Sequence, residues 1–217
     1  MEGFLAKFFE AYNLGNDGSL FMWYIALMGA WGIVIAIERF YAIWVKANVN
    51  AEMFMTEIRK LVIAGDLKKA VALCRSGRDK ALPFVVGAIL EQAEAKGSYD
   101  FRAMQNAADE AMLEMAPKLN KRTGLLQMVS GVSTLLGLIG TIYGLILAFQ
   151  AAAASGAGGA QALTTGISVA MLTTYAGLLN AIPLSIAQAL IQNKTNGIIE
   201  SIDEHSVKLM NMLTAAK

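Results

Sequence analysis

The sequence predicts an all-α fold: an integral membrane protein with three transmembrane helices and long cytoplasmic helical extensions. Three observations predict it. No Asp, Glu, Lys, Arg or His occurs between Arg122 and Lys194. A separate apolar run lies near the N-terminus, from Leu20 to Val45, with Glu38 and Arg39 about one turn inside its far end. The composition is 56% hydrophobic and 16% charged, with a mean hydropathy of +0.48, which sets it apart from an average soluble domain.

Taken in order, residues 1–19 carry Glu2, Glu10 and Asp17 against Lys7. That charge is opposite to the leading region of a secretory signal, and the apolar run that follows is too long for one, so the segment is expected to stay uncleaved. Phe4, Leu5, Phe8, Phe9 and Tyr12 fall at helical spacing and predict a short amphipathic helix lying in the interface or packed on the first span. Residues 20–45 form that span, with Trp23 and Tyr24 at one end and Tyr41 and Trp44 at the other as interfacial anchors. Glu38 and Arg39 are read as an interfacial charge pair. Neighbours in sequence do not face each other on a helix, so each is expected to find a partner elsewhere or to reach for water.

Residues 46–122 hold thirteen of the eighteen Lys and Arg residues. The positive-inside rule puts this loop in the cytoplasm; three spans then put the N-terminus in the periplasm and the C-terminus in the cytoplasm. Within the loop, Met53, Phe54, Ile58, Leu61 and Val62 mark one amphipathic helix, closed by Gly65. Asp66 caps a second, with Leu67, Ala70, Val71 and Cys74 inward. Pro83 precedes a third, Phe84 to Ala95, punctuated by Gly97 and Ser98. From Asp100 the pattern predicts near-continuous helix into the second span, bent at Pro117 if anywhere.

The charge-free stretch divides into a span at 123–150, a short periplasmic turn at 151–161 rich in Ala and Gly, and a span at 162–192 that contains Pro183. At about 1.5 Å per residue each span crosses a hydrocarbon core. Residues 193–217 continue as an amphipathic cytoplasmic helix with Ile198, Ile199, Ile202, Leu209, Met210 and Leu213 on its apolar face, interrupted by Ser206. His205 lies there, outside the spans, among charged neighbours, and is read as a solvated helix residue.

Each inner span carries a stripe of small or hydroxylated residues three and four apart. The first reads Ser130, Thr134, Gly137, Thr141, Gly144 and Ala148, and the second Ala170, Thr174, Gly177, Ala181, Ser185 and Gln188. Such stripes let helix backbones approach closely in a membrane. Thr141 and Thr174, polar at mid-depth, also suit the wall of a buried or water-filled path. No Cys/His cluster, phosphate-binding loop or nucleophile motif accompanies them, so the sequence points away from an enzyme and implies neither cofactor nor metal. The near-neutral charge gives no reason to expect nucleic acid, and Cys74, the only cysteine, excludes an internal disulfide.

Two motifs carry a resemblance. Leu135-Leu136-Gly137-Leu138-Ile139-Gly140-Thr141-Ile142-Tyr143-Gly144-Leu145-Ile146 resembles the second transmembrane segment of the ExbB/TolQ/MotA proton-channel family. Gly166 to Pro183, containing Thr173-Thr174 and Gly177-Leu178, is similar to its third, and Ile37-Glu38-Arg39 matches the end of its first. Val169 stands where ExbB and TolQ chains usually carry Glu, and Thr134 where they often carry Pro. The resemblance implies a homopentamer of three-span subunits in the bacterial inner membrane. It would surround a dimer of a single-span ExbD/TolR-type protein whose membrane Asp carries the ion, with a TonB/TolA-like envelope-spanning protein as a further partner. Threonine does not titrate near neutral pH, so Thr141 and Thr174, with Thr173 beside them, are expected to hydrogen-bond the partner's carboxyl or ordered water. A sodium-driven motor, or a non-conducting membrane scaffold in which the stripes only pack, remain alternatives.

Overall fold

The computed structural model describes Phe8, Tyr12 and residues 19–47, 49–96, 100–154 and 159–215. The amphipathic helix expected over residues 1–19, apart from Phe8, Tyr12 and Ser19, lies outside the described residues, as do Gly97, Ser98 and residues 155–158 of the turn. The described chain is all-α. Its helices are α1 (Ser19–Tyr41), α2 (Ala51–Ile63), α3 (Leu67–Ser76), α4 (Ala81–Lys96), α5 (Phe101–Asn120), α6 (Thr123–Ala154) and α7 (Gly159–Ala215), and a π-helical turn, Ala42–Lys46, follows α1. Three stretches are long and apolar enough to cross a membrane: Ser19–Val45, Phe101–Ala154 and Gly159–Ala215.

Two compact units share these helices. One comprises Met1–Glu38 and Arg122–Leu190, the other Arg39–Lys121 and Ile191–Lys217. The first is a three-helix packing. Met22 and Ile25 of α1 meet Leu172 and Ala176 of α7 in its core, with Phe8, Tyr12 and Leu136 packed against them. Its outer surface stays greasy: Leu20, Ile33, Val34 and Ile37 of α1, Leu135 and Ile142 of α6, and Met171 and Ile186 of α7 are all more than half exposed. A water-soluble unit of this size does not leave so much large aliphatic surface open, so this surface belongs against lipid or other subunits.

The second unit is built as a soluble helical domain is built. Helix starts are capped: the side chains of Asn50, Asp66 and Asp100 accept from the backbone N–H groups of Met53, Lys69 and Arg102. Gly65, at φ 74°, closes the turn between α2 and α3. α4 is the central element, with Leu82, Val85, Val86, Ile89 and Leu90 buried on successive faces, as its nearly uniform apolar sequence requires. Around it Met55, Ile58, Val71, Cys74 and Met104, together with Ile202 and Leu209 of α7, complete the core. Apart from the buried Arg39, its charges lie largely outside, in exposed pairs such as Lys60–Glu57, Arg75–Glu91 and Lys118–Glu114.

The near-continuous helix expected from Asp100 onward is interrupted, and the interruption is not at the proline. Pro117 sits inside α5, while the helix breaks at Lys121 and Arg122. Arg122 takes φ 63°, a left-handed conformation unusual for a residue with a Cβ. Its Nη1 donates to both carboxylate oxygens of Glu38, at 2.7 and 2.6 Å, which holds Arg122 at the break from outside the helix ladder. Pro183 likewise lies inside α7.

Candidate functional site

The candidate site grows from the contact between α6 and α7. The two helices run antiparallel, and their small residues meet in register: Ser130 faces Ala181 and Ser185, Gly137 faces Gly177, Gly140 faces Thr173, Gly144 faces Ala170, and Ala148 faces Gly166. Near the middle a methyl group added to Gly177 would stand 2.7 Å from the Ser133 carbonyl oxygen. Only glycine allows two backbones that near each other. This contact explains why the stripes exist: Ser130, Gly137, Gly144 and Ala148 of the predicted set lie in it, joined by two residues outside that set. Ser133 and Gly140 are buried in the seam; Thr134 is exposed and turns its hydroxyl back to the Ser130 carbonyl, 3.3 Å away.

At the edge of this seam the structure brings Thr141 and Thr174 together. Both are half-buried and their hydroxyls touch. Each also has a backbone acceptor: Thr141 Oγ1 lies 3.1 Å from the Gly137 carbonyl and 3.2 Å from that of Ala170, and Thr174 Oγ1 lies 3.1 Å from the Gly137 carbonyl. A hydroxyl has one proton and two lone pairs. Two protons therefore face two carbonyls and one another, so both donors are committed while lone pairs are left over. The pair can accept a hydrogen bond from a protonated acid or a water, and it has no proton of its own to release near neutral pH.

Thr173 stands differently. It is 1% exposed, and its hydroxyl donates within the contact, 2.7 Å from the Ala170 carbonyl and 3.3 Å from that of Gly137. It fills the space over Gly140, where an added methyl group would meet its Oγ1 at 2.7 Å. The charge pair of the first span also separates: Glu38 binds Arg122, and Arg39 is 8% exposed.

The sequence profile of the MotA/TolQ/ExbB proton channel family matches residues 80–204, more than half of the chain. The chain belongs to this family. Among individual proteins it is 33% identical over 119 residues to biopolymer transport protein exbB1 of Vibrio cholerae, a match covering 54% of this chain and 52% of that one. It is 30% identical over 154 residues to an ExbB-like protein of Synechocystis sp., covering 69% and 70%. It is 31% identical over 97 residues to the Tol-Pal system protein TolQ of Haemophilus influenzae, covering 45% and 42%. The chain thus spans about half the length of two of these relatives.

Within this family member two polar residues matter that the stripes did not single out, Asn180 and Ser133. Asn180 Nδ2 donates to the Ile25 carbonyl at 2.8 Å and ties α7 to α1 at mid-span. An amide among apolar neighbours is itself a sign of such a bond, since an unmatched one is costly there. Ser185 shares a 2.7 Å hydrogen bond with Ser130, whose hydroxyl also lies 2.8 Å from the Ala181 carbonyl. Ser133 is fully buried, and among the described residues its Oγ has no hydrogen-bond partner. No spacing rule separates it from Ser130.

Proposed function

We propose that this chain is the proton-channel subunit of an inner-membrane motor. Five copies would surround a dimer of a single-span ExbD/TolR-type partner, with the N-terminus periplasmic and the C-terminus cytoplasmic. The motor would couple the ion motive force to mechanical work on a TonB/TolA-like envelope-spanning protein. The observation that carries this reading is the Thr141–Thr174 hydroxyl pair at the seam of two charge-free helices. A wall of this kind offers lone pairs and no titrating group, so it suits a carrier acid supplied by another polypeptide. When that acid is protonated its O–H would donate to the pair; when it is ionised the pair has no free donor for it. The site therefore favours the neutral form of a carboxyl brought beside it. Family membership, and Val169 in place of the usual Glu, agree with the acid coming from the partner.

Thr173 acts in this scheme by holding Thr174 in place, since its own hydroxyl is enclosed by backbone carbonyls. The experiment is proton flux into liposomes containing the chain with its single-span partner, driven by a potential worth about 2.3 kcal/mol per charge per 100 mV. Thr141→Val with Thr174→Val keeps the volume and removes both hydroxyls. Loss of one hydrogen bond of about 1–1.5 kcal/mol predicts a fall of roughly tenfold in flux, with assembly unchanged. Flux at the wild-type level in the double variant overturns the assignment. Flux that requires sodium makes the motor a sodium one, and the absence of any partner-dependent flux makes the chain a scaffold.

A further inference from the structure

The hydroxyl contact of the seam occurs twice. Eleven residues before Thr141 on α6 stands Ser130; eleven after Thr174 and Ala170 on the antiparallel α7 stand Ser185 and Ala181. Eleven residues make three helical turns to within about 20°, so the second pair lies on the same edge, about 16 Å along the seam. The bonds repeat with the residues. Thr141 Oγ1 lies 3.2 Å from the Ala170 carbonyl and touches the Thr174 hydroxyl; Ser130 Oγ lies 2.8 Å from the Ala181 carbonyl and 2.7 Å from Ser185 Oγ. In both pairs the α6 hydroxyl occupies the carbonyl four residues before the α7 hydroxyl, the acceptor that a helical Ser or Thr commonly takes for itself. Ser130, 4% exposed, thus has a carbonyl for its proton, and Ser185 donates to Ser130. That leaves the lone pairs of Ser185, half-buried, open to a donor from the edge. Thr134 lies between the two pairs, seven residues before Thr141 and on the same face; it is exposed, and its proton turns back to the Ser130 carbonyl. On the other side of the threonines the step of eleven falls on Ala152 and Leu163, which carry no hydroxyl.

We infer that Ser185 is a second station of the ion path, on the Arg122 side of the Thr141–Thr174 pair. Its oxygen binds a water, Thr134 supports the chain of waters between the two stations, and Ser130 is a positioning residue that fixes the Ser185 hydroxyl. The inference rests on the channel function proposed above. An acid held on a partner helix reaches only a few ångströms, so over a gap of about 16 Å the proton passes along water. A water that donates one hydrogen to Ser185 keeps a lone pair free. It accepts a proton from the water before it and gives up one of its own to the water after it, so charge is conserved at each step. The serine itself stays neutral throughout, as a hydroxyl must near neutral pH. The two stations therefore do different work with the same geometry: the threonines meet the carrier acid, and Ser185 meets the water that takes its proton away.

The test is proton flux into liposomes containing the chain and its single-span partner, with thermal unfolding of the same variants in detergent. Ser185→Ala removes the water's acceptor but leaves Ser130 bonded across the seam to the Ala181 carbonyl. Flux is expected to fall about tenfold, the weight of one hydrogen bond, with Tm and assembly as in the wild type. Ser185→Thr returns a hydroxyl and should return the flux. Ser130→Ala removes the bond across the seam, while Ser185 can turn to the freed Ala181 carbonyl and keep its lone pairs. It should therefore lower Tm and cost less flux than Ser185→Ala does. Serines that served packing alone would make flux follow Tm in every variant. That result, wild-type flux in Ser185→Ala, or no recovery in Ser185→Thr overturns the inference. Thr141→Val with Thr174→Val in the same liposomes separates the two claims. If it lowers flux and Ser185→Ala does not, only the second station is lost, whereas wild-type flux in the threonine variant removes the channel reading beneath it.

Discussion

Arg122 is the residue at which geometry and charge are most tightly joined. Its left-handed φ of 63° costs an L-residue about 1–2 kcal/mol, and what it gains is the two-pronged contact with Glu38. Both side chains are a little under half exposed, so the ion pair itself is worth at most about 1 kcal/mol. Arg122→Ala should lose the pair and keep the strain. Arg122→Gly should lose the pair and relieve the strain, and so unfold less easily than Arg122→Ala by about 1 kcal/mol in denaturant titrations. If the order is reversed, the helix break is not set at this residue. Cys74 makes a second prediction. Burial first, and then the charge of Glu91, push its thiol up to about 12. The thiol is neutral in both folded and unfolded chains below about pH 8.5, so its contribution to stability is complete there. It is lost as pH rises from that value toward 12, because only the unfolded chain can ionise. Maleimide at pH 8 should therefore label Cys74 in denaturant and leave it nearly untouched in the native protein.

At the scale of elements, the α6–α7 seam stands or falls on glycine. An alanine methyl at Gly177 would meet backbone at Ser133 and Gly137, which cannot move aside as a side chain can, so Gly177→Ala should destabilise by about 1–3 kcal/mol. Gly197, also on α7, has nothing within 4 Å of the same position, and Gly197→Ala should stabilise by about 0.5–1 kcal/mol through helix propensity. Thermal melts of the two variants, moving in opposite directions, check both. The same helices show what a sequence can and cannot disclose. Their lengths and the small-residue stripes follow from composition and a period of 3.6, and so were legible. The full width of the contact was not: Ser130 and Gly137 enter it as the stripe predicts, but Ser133 and Gly140 are buried there too while Thr134 is exposed, and that depends on the partner helix. Thr141 and Thr174 were legible as a pair because both lie on the stripes, and the structure puts them at the same edge of the seam. The break at Arg122 was hidden because Pro117 is the stronger local signal, whereas the actual cause is a carboxylate in α1, far away in sequence.

On the scale of the whole molecule the two units face different solvents, and their surfaces say so independently of any motif. In the unit holding α6, the exposed large side chains are aliphatic and aromatic, from Leu20 and Val34 to Leu135 and Ile186. In the other unit paired charges and capped helix ends, which need water, lie on the surface beside a few exposed apolar side chains such as Met53, Ile63 and Leu113. This contrast was visible in the sequence as the charge-free stretch beside a loop holding thirteen of eighteen Lys and Arg residues. The side of the membrane on which that loop lies rests on the positive-inside rule, which gives a test of its own. In a Cys74→Ser background, Ala153→Cys places a thiol at the exposed end of α6, and Met53→Cys places one on the exposed face of α2, where Met53 is 66% exposed. With the N-terminus periplasmic, a membrane-impermeant maleimide applied to intact spheroplasts should label Ala153→Cys and leave Met53→Cys unlabelled until the membrane is opened. The reverse pattern inverts the chain in the bilayer.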